Sequence, residues 1–470
     1  MNTKLHRTPG TQKVRRDALE GKRGNASERL DVLTRPDPNR IHLKADDPNL
    51  TSVAGLVPFG IWRRKEGVDA QFRKNFGGMK VGPLVRYGMA QQLGVLVDGL
   101  VAGAGRVLDF EALAADPLFA RLAGGCVSSI DTLYDDLRRF GDAPEHLDRL
   151  SAMVTEQGVH DLRKLRPKEL HLDLDTTVAV VFGSQMEGAV PGPNPRYHGR
   201  PSYHPILMTV AETGALVGIQ LRPGDTSLGE DDVAVVRRWI RAVREAVGPS
   251  CQVWVRVDSA GDCAAFLEMF HQEKCGFAVK AKLDEGLKKA LRGVTSWTTV
   301  DRDADGHADR QSAEPSYQRK AWEGRALAAR FVAIRERDQE HQRGQSLWDD
   351  DDWNYHAYIT NAPIEMESGA EVARRYRGRA EVEPKIAELK NDWGLEQFST
   401  NNFAANHAML LLKGLAYNLF RRYVTAKHSE FSVWRTAWQR IVLVRVPGRL
   451  VKSGRQTYLH VPPHARRMLN

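Results

Sequence analysis

The 470-residue chain has little cysteine and no long apolar run, and each shortage removes a class of protein. Four cysteines, Cys126, Cys251, Cys263 and Cys275, form no C-x-x-C pair and fall far below the density of a disulfide scaffold. That suits a reducing compartment and argues against structural zinc. The most apolar stretch, "MLLLKGLAYNLF" from Met409, is broken by Lys413 and Gly414. It falls short of the ~20 residues that cross a bilayer, so no membrane partner is expected. The opening "MNTKLHRTPGTQKVRRDALEGKRGN" is basic without an apolar h-region, and no secretory signal is expected from it. Internal repeats are missing too. The one low-complexity run, Asp349 to Asp352, sits in a polar connection between tryptophans. Four adjacent carboxylates there read as a solvated hairpin tip rather than a metal site.

What is present describes a globular protein with a basic bias. With 42% hydrophobic and 27% charged residues, the chain is long enough for two to four domains and a well-buried core. Its net charge of +9 is concentrated: Ala404 to Asn470 carries twelve Lys or Arg against one acidic residue, Glu430. Basic side chains interleaved with Tyr423, Trp434, Trp438 and Tyr458 suit contact with a phosphate backbone; the alternative is a basic but idle face. Arg421 and Arg422, within this segment, are candidates for DNA binding.

Texture divides the chain into six stretches. Residues 1–50, rich in Arg, Pro and Asn, are expected to form a mobile basic arm. Residues 51–165 read as a helical, DNA-binding domain, from "PLVRYGMAQQLGVLVDGLVAGAG" and the Ser-capped "SSIDTLYDDLRRF". A helix pair around Gly124 to Ser129 fits either a helix-turn-helix or plain packing. Over 166–283 the pattern runs three strands, helix, strand, helix, strand, the order of a ribonuclease-H-like α/β core with a mixed sheet. Residues 284–367 form a β-rich insertion, 368–403 return a helix to the core, and 404–470 make a basic, mainly helical C-terminal region for DNA contact or dimerisation.

Two aspartates stand in strands that should exclude them. In "LHLDLDTT", Asp173 and Asp175 lie at i and i+2 and so share one face, and Asp258 ends the apolar strand "VWVRVD". A carboxylate there must be paired, hydrogen-bonded or bound to a cation, although a strand-to-helix cap also accounts for Asp258. Later, "YRGRAEVEPKIAELK" places Tyr376, Arg379, Glu383 and Lys390 within about 60° of one another on a helix of 100° per residue. Ordinary i, i+4 charge pairing explains Arg375, Glu381, Lys385 and Glu388 but leaves a tyrosine among three charges unexplained. Two aspartates and a glutamate can hold two divalent cations on hard oxygen ligands, the arrangement that phosphodiester chemistry uses. Pro384, directly after Glu383, should break or restart the helix unless it falls in a first turn.

These segments resemble the bacterial insertion-sequence DDE transposases. Tyr376, Arg379, Glu383 and Lys390 match that group's Y-x-x-R-x-x-x-E-x-x-x-x-x-x-K signature, while "LDLDTT" and "RVDSAG" are similar to the segments bearing its first two catalytic aspartates. "LTSVAGLVPFG", "SSIDTLYDDL" and "NFAANHAMLLLKGLAYNLFRR" extend the likeness over roughly Leu50 to Arg455, and the group carries a β-rich insert in the same place. The resemblance implies that Asp175, Asp258 and Glu383 are the catalytic, metal-binding triad, holding two Mg2+ ions, with Mn2+ as a substitute. Asp173 is the rival for the first position; Asp175 is preferred because Thr176 and Thr177 follow it. Tyr376, Arg379 and Lys390 would contact phosphates of the element's ends. Trp297 or Trp322 would stack on a flipped base, or else pack in the core. The implied activity is binding of terminal inverted repeats, cleavage and strand transfer to target DNA. It would be carried out by a homodimer on DNA in a bacterial cytoplasm, at the nucleoid, without a nucleotide cofactor. The alternatives are a ribonuclease-H-like nuclease without strand transfer and a DNA-binding protein with a decayed centre.

Overall fold

The computed structural model describes residues 38, 41–183, 185–192, 198–325, 327–337 and 353–469. Most of the expected basic arm and the acidic run Asp349 to Asp352 lie outside the described residues. The chain divides into two compact units, Met1–Pro48 and Asn49–Asn470, and the sheet, helices and site all belong to the second.

Nine strands make one central sheet. They are β1 (Glu169–Thr176), β2 (Ile206–Val210), β3 (Leu216–Gln220), β4 (Gln252–Val257), β5 (Gly276–Lys280), β6 (Thr298–Arg302), β7 (Ala308–Ala313), β8 (Arg330–Arg337) and β9 (Trp353–Thr360). Their spatial order is β6-β7-β8-β9-β5-β4-β1-β2-β3. β1 pairs antiparallel with β2 and parallel with β4, and β4 pairs parallel with β5. A three-stranded meander followed by two parallel strands added through helices is the ribonuclease-H-like order expected from the sequence. The insertion adds its strands to the same sheet, with β9 running antiparallel beside β5.

Strand parity sorts the two faces. Leu170, Leu172 and Leu174 of β1 and Val253, Val255 and Val257 of β4 point to one side, where the crossover helices α3 (Val233–Val247) and α4 (Ala264–Gln272) cover them. The opposite face is apolar only toward its ends. At the β3 end, Leu207, Leu216 and Ile219 join the core of the helical region. Toward the insertion, Val332, Ile334 and Tyr358 pack on Val372 and Ala373 of α5 (Gly369–Arg377). Between them the middle strands present polar side chains.

The expected C-terminal region is not separate from the N-terminal helices. α7 (Phe403–Lys427) is apolar almost all round, and such a helix must be enclosed. It shares one core with the helices Leu56–Lys65 and Val68–Phe76, with α1 (Met89–Ala102) and with α2 (Pro144–Val159). Asn418 fastens it to the sheet, accepting from the Leu216 N–H at 2.9 Å and donating to the Leu216 and Val154 carbonyls at 2.7 and 3.1 Å. Lys413, the charge that interrupts the apolar run, is fully buried and donates to the Gly394 and Gln397 carbonyls at 2.6 and 2.7 Å. Burial lowers its pKa to about 7. Further on, a hairpin, Gly448–Ser453 with Gln456–His460, takes Leu50–Thr51 as a third strand and is followed by a 3-10 turn and a short helix, Arg466–Leu469.

Candidate active site

On the middle strands, parity places three cross-strand rungs on the polar face. The parallel register pairs His171 with Trp254, Asp173 with Arg256 and Leu174 with Val257, so its next step sets Asp175 beside Asp258. The first two rungs meet Arg375 of α5, and the third meets Arg379 in the turn that follows α5.

At the first rung the Arg375 guanidinium lies 3.8 Å from the Trp254 ring centroid and bonds His171 Nε2 at 2.8 Å. Since Arg375 can only donate, Nε2 accepts, and His171 Nδ1–H donates to Glu212 at 2.8 Å. At the second rung Arg256 binds Asp173 bidentately, Nε to Oδ1 at 2.7 Å and Nη2 to Oδ2 at 2.8 Å, and its Nη1 donates to the Arg375 carbonyl at 3.2 Å. Asp173 is wholly buried and both its oxygens are engaged. Burial still pushes its carboxyl pKa upward, against the pull of Arg256.

The third rung is more open. The Asp175 side chain is 13% exposed, and one of its oxygens meets Arg379 Nη2 at 2.9 Å. The other accepts from the Thr176 N–H at 2.8 Å. Burial pushes the Asp175 carboxyl up to about 6; Arg379 opposes the rise and Asp258 adds to it. Asp258 closes β4 and caps the turn Ser259–Gly261 by accepting from the Ala260 N–H at 2.9 Å. Capping therefore accounts for one oxygen of Asp258, while its position beside Asp175 brings two carboxylates together.

Tyr376, Arg379, Glu383 and Lys390 do not lie on one helix. α5 ends at Arg377, a 3-10 turn covers Gly378–Glu381, and α6 (Val382–Trp393) starts anew with Pro384 in its first turn. Tyr376 packs on Tyr358, ring centroids 4.7 Å apart, and burial raises its phenol pKa. Arg379 faces Asp175, and its buried Nε–H has no partner among the described residues. Lys390 pairs with Glu396 and reaches the Val178 carbonyl at 3.5 Å, just past Asp175. Glu383 is exposed, and among the described residues no group of three His, Cys, Asp or Glu side chains comes close enough to hold a metal ion. Two aspartates with opposed charge and oxygen donors fit a divalent cation. Glu383 stands outside that pair.

Arg421 and Arg422 are placed differently from expectation, whereas Trp322 takes the core position given as its alternative. Arg422 is buried and bonds Glu66 at 2.6 Å, Gln157, and His160 at 3.0 Å, while Arg421 donates to the Thr213 carbonyl and lies over Tyr417. Both guanidiniums tie α7 to its surroundings, because the helix that carries them is enclosed rather than superficial. Trp322 is core, stacked on Phe331 at 5.1 Å, whereas Trp297 is half-buried between Tyr355 and Arg335. Arg375, read from the sequence as an ordinary i, i+4 surface charge, is engaged with Trp254 and His171 instead, and Arg256 went unnoticed, although an arginine two residues before Asp258 in a strand is as anomalous as Asp173 itself.

A family model described as transposase DDE domain group 1 matches residues 35–467. No curated protein sequence matches the chain. Among solved structures, the piggyBac transposase synaptic complex with hairpin DNA, determined by cryo-EM, is similar at 11% identity with a TM-score of 0.41, over 84% of this chain and 79% of that one.

Proposed function

The chain belongs to the transposase DDE domain group 1 family, and from that premise we propose that it binds the terminal inverted repeats of a mobile element, cuts the DNA at its ends and joins the freed 3′ hydroxyl to target DNA. The observation that carries this reading is the third rung, where Asp175 and Asp258 meet at the ends of adjacent parallel strands with Arg379 beside them.

Asp175 and Asp258 would hold a divalent metal ion, magnesium by the hardness of carboxylate oxygen. When bound, such an ion activates an attacking oxygen and stabilises a leaving one in phosphodiester chemistry. The protein's own groups do the positioning. A phosphate entering beside Asp175 gives the unpartnered Arg379 Nε–H an acceptor, and a guanidinium suits two phosphate oxygens at once. Lys390 supplies a second cation. Tyr376, seated against Tyr358, holds its hydroxyl on the Arg379 side of the site. Glu383, in the first turn of α6 and next to the 3-10 turn, is assigned as the third carboxylate, brought toward the aspartates when DNA binds. Holding two ends together calls for two protomers, so the working unit on DNA is a dimer.

Magnesium-dependent cleavage of end-bearing DNA, followed by joining of pre-cleaved ends to a plasmid target, tests the proposal. Asp258→Ala and Glu383→Ala should each abolish cleavage. Undiminished cleavage by either variant removes that residue from the triad, and cleavage without joining leaves a nuclease.

A further inference from the structure

One guanidinium touches both aspartate strands and the end of α5 that leads into the turn bearing Arg379. Arg256 sits on β4 two residues before Asp258, its fork holds Asp173 two residues before Asp175, and its Nη1 reaches the carbonyl of Arg375, one residue before Tyr376. It also presses on the start of the 3-10 turn: a Cβ placed on Gly378 would stand 2.3 Å from Arg256 Nη1. Gly378 has φ −56° and ψ −15°, a helical conformation open to any residue. The backbone does not require glycine there, and the absent side chain leaves the space that Nη1 of Arg256, a guanidinium pinned by three bonds, occupies. Nothing in the proposed chemistry uses Arg256 directly, and it is buried.

We propose that Arg256 is a positioning residue: through Asp173, the Arg375 carbonyl and the space at Gly378, it sets the spacing between the two aspartate strands and the turn that carries Arg379 and leads to Glu383. This rests on the function proposed above. A buried ion pair of purely structural worth would need only Asp173. The third bond and the contact at Gly378 connect that pair to the hinge between α5 and α6. Lysine keeps the charge but cannot fork onto Asp173 while also reaching Arg375.

Three variants separate positioning from stability. Arg256→Lys breaks the fork. Gly378→Ala leaves the fork's donors in place and crowds Nη1. Arg63→Lys is the control, since Arg63 forms a comparably buried pair with Asp98 between two helices of the helical region and bonds none of the segments that Arg256 touches. Hydrogen–deuterium exchange on the metal-free protein should show faster exchange over 376–383 and after Asp258 in Arg256→Lys and Gly378→Ala, with the helical region unchanged. Arg63→Lys should show the reverse. Single-turnover cleavage of saturating end DNA should fall at least 30-fold in both site variants, with DNA affinity within about threefold of wild type and with activity retained by Arg63→Lys.

Gly378→Ala is the sharpest arm, because alanine favours a helical position over glycine. If the contact with Arg256 is idle, this variant melts no lower than wild type, exchanges as wild type does and cleaves normally, and the proposal falls. It falls equally if Arg256→Lys, folded at the assay temperature, cleaves within twofold of wild type, or if Arg63→Lys loses as much. Should the wild-type protein cleave no end DNA, the functional reading fails instead, while the exchange pattern still decides whether Arg256 orders the hinge.

Discussion

Asp173 and Asp175 are two residues apart on one face of one strand, and each meets an arginine, yet they occupy opposite chemical situations. Asp173 is sealed, with both oxygens held by the two-pronged grip of Arg256. Asp175 touches its arginine through one oxygen at the rim of the sheet, beside a second carboxylate. A forked and buried pair is closed to a ligand, because burial shuts out an incoming group and each oxygen already holds a charge-assisted bond, and losing either partner strands a charge in the interior. A single, exchangeable contact leaves the carboxylate able to change partners. The comparison separates a residue that builds the site from one that works in it, a distinction the preference for Asp175 reached only through the threonines that follow it.

The largest expected effect is on the working side of the comparison. Asp258→Asn and Asp175→Asn should each lower magnesium-dependent cleavage by about 10³-fold, equivalent to about 4 kcal/mol of barrier, while the protein stays folded. Gel-based cleavage of end DNA measures the first and circular dichroism the second. A tenfold loss or less would place the chemistry elsewhere. Asp173→Asn should invert the pattern. It weakens the grip on a buried guanidinium, at a cost of about 3 kcal/mol, and thermal melting should show a drop of several degrees larger than any seen for Asp175→Asn.

Next in size is Arg379→Ala. Loss of a charge-assisted phosphate contact costs about 2 kcal/mol, roughly a 30-fold rise in Kd for end DNA. The slope of log affinity against log salt should also shrink by about one, measured by fluorescence anisotropy. An unchanged slope would mean that Arg379 serves Asp175 alone.

Much of this was legible because the signals were local. Strand parity in "LHLDLDTT" put Asp173 and Asp175 on one face, the end of "VWVRVD" marked Asp258, and the alternation of strands and helices predicted a mixed sheet, though not that the insertion's strands extend it. Pro384 announced the break between α5 and α6, although the change of course occurs earlier, at Gly378–Glu381. What escaped were pairings set by tertiary contact. Arg421 and Arg422 counted as surface charge in composition, but α7 is enclosed by helices from the other end of the chain, and its arginines spend their donors there. The C-terminal hairpin escaped because its third strand, Leu50–Thr51, lies some 400 residues away in sequence. Arg256 escaped for a different reason: an arginine in an apolar strand was as strong a signal as Asp173, and only their register shows that each answers the other.

The smallest effect tests the open rung without DNA or metal. An unfolded aspartate titrates near pH 3.9, and burial raises Asp175 to about 6 in the folded protein. The folded state therefore binds this proton more tightly than the unfolded state does. Between about pH 4 and pH 6 the native form carries more protons at this site, so its stability falls as pH rises through that window and is flat beyond it. Asp175→Asn removes the titration. Its melting temperature relative to wild type should climb across the window, ending about 2 °C higher at pH 7.5 than at pH 4.5. Asp173→Asn provides no such relief at neutral pH, because it leaves Arg256 charged and without a carboxylate partner. A melting difference for Asp175→Asn that is independent of pH, or that falls as pH rises, would mean that Arg379 keeps the Asp175 carboxylate ionised in the folded protein and that burial at the open rung does not favour the protonated acid.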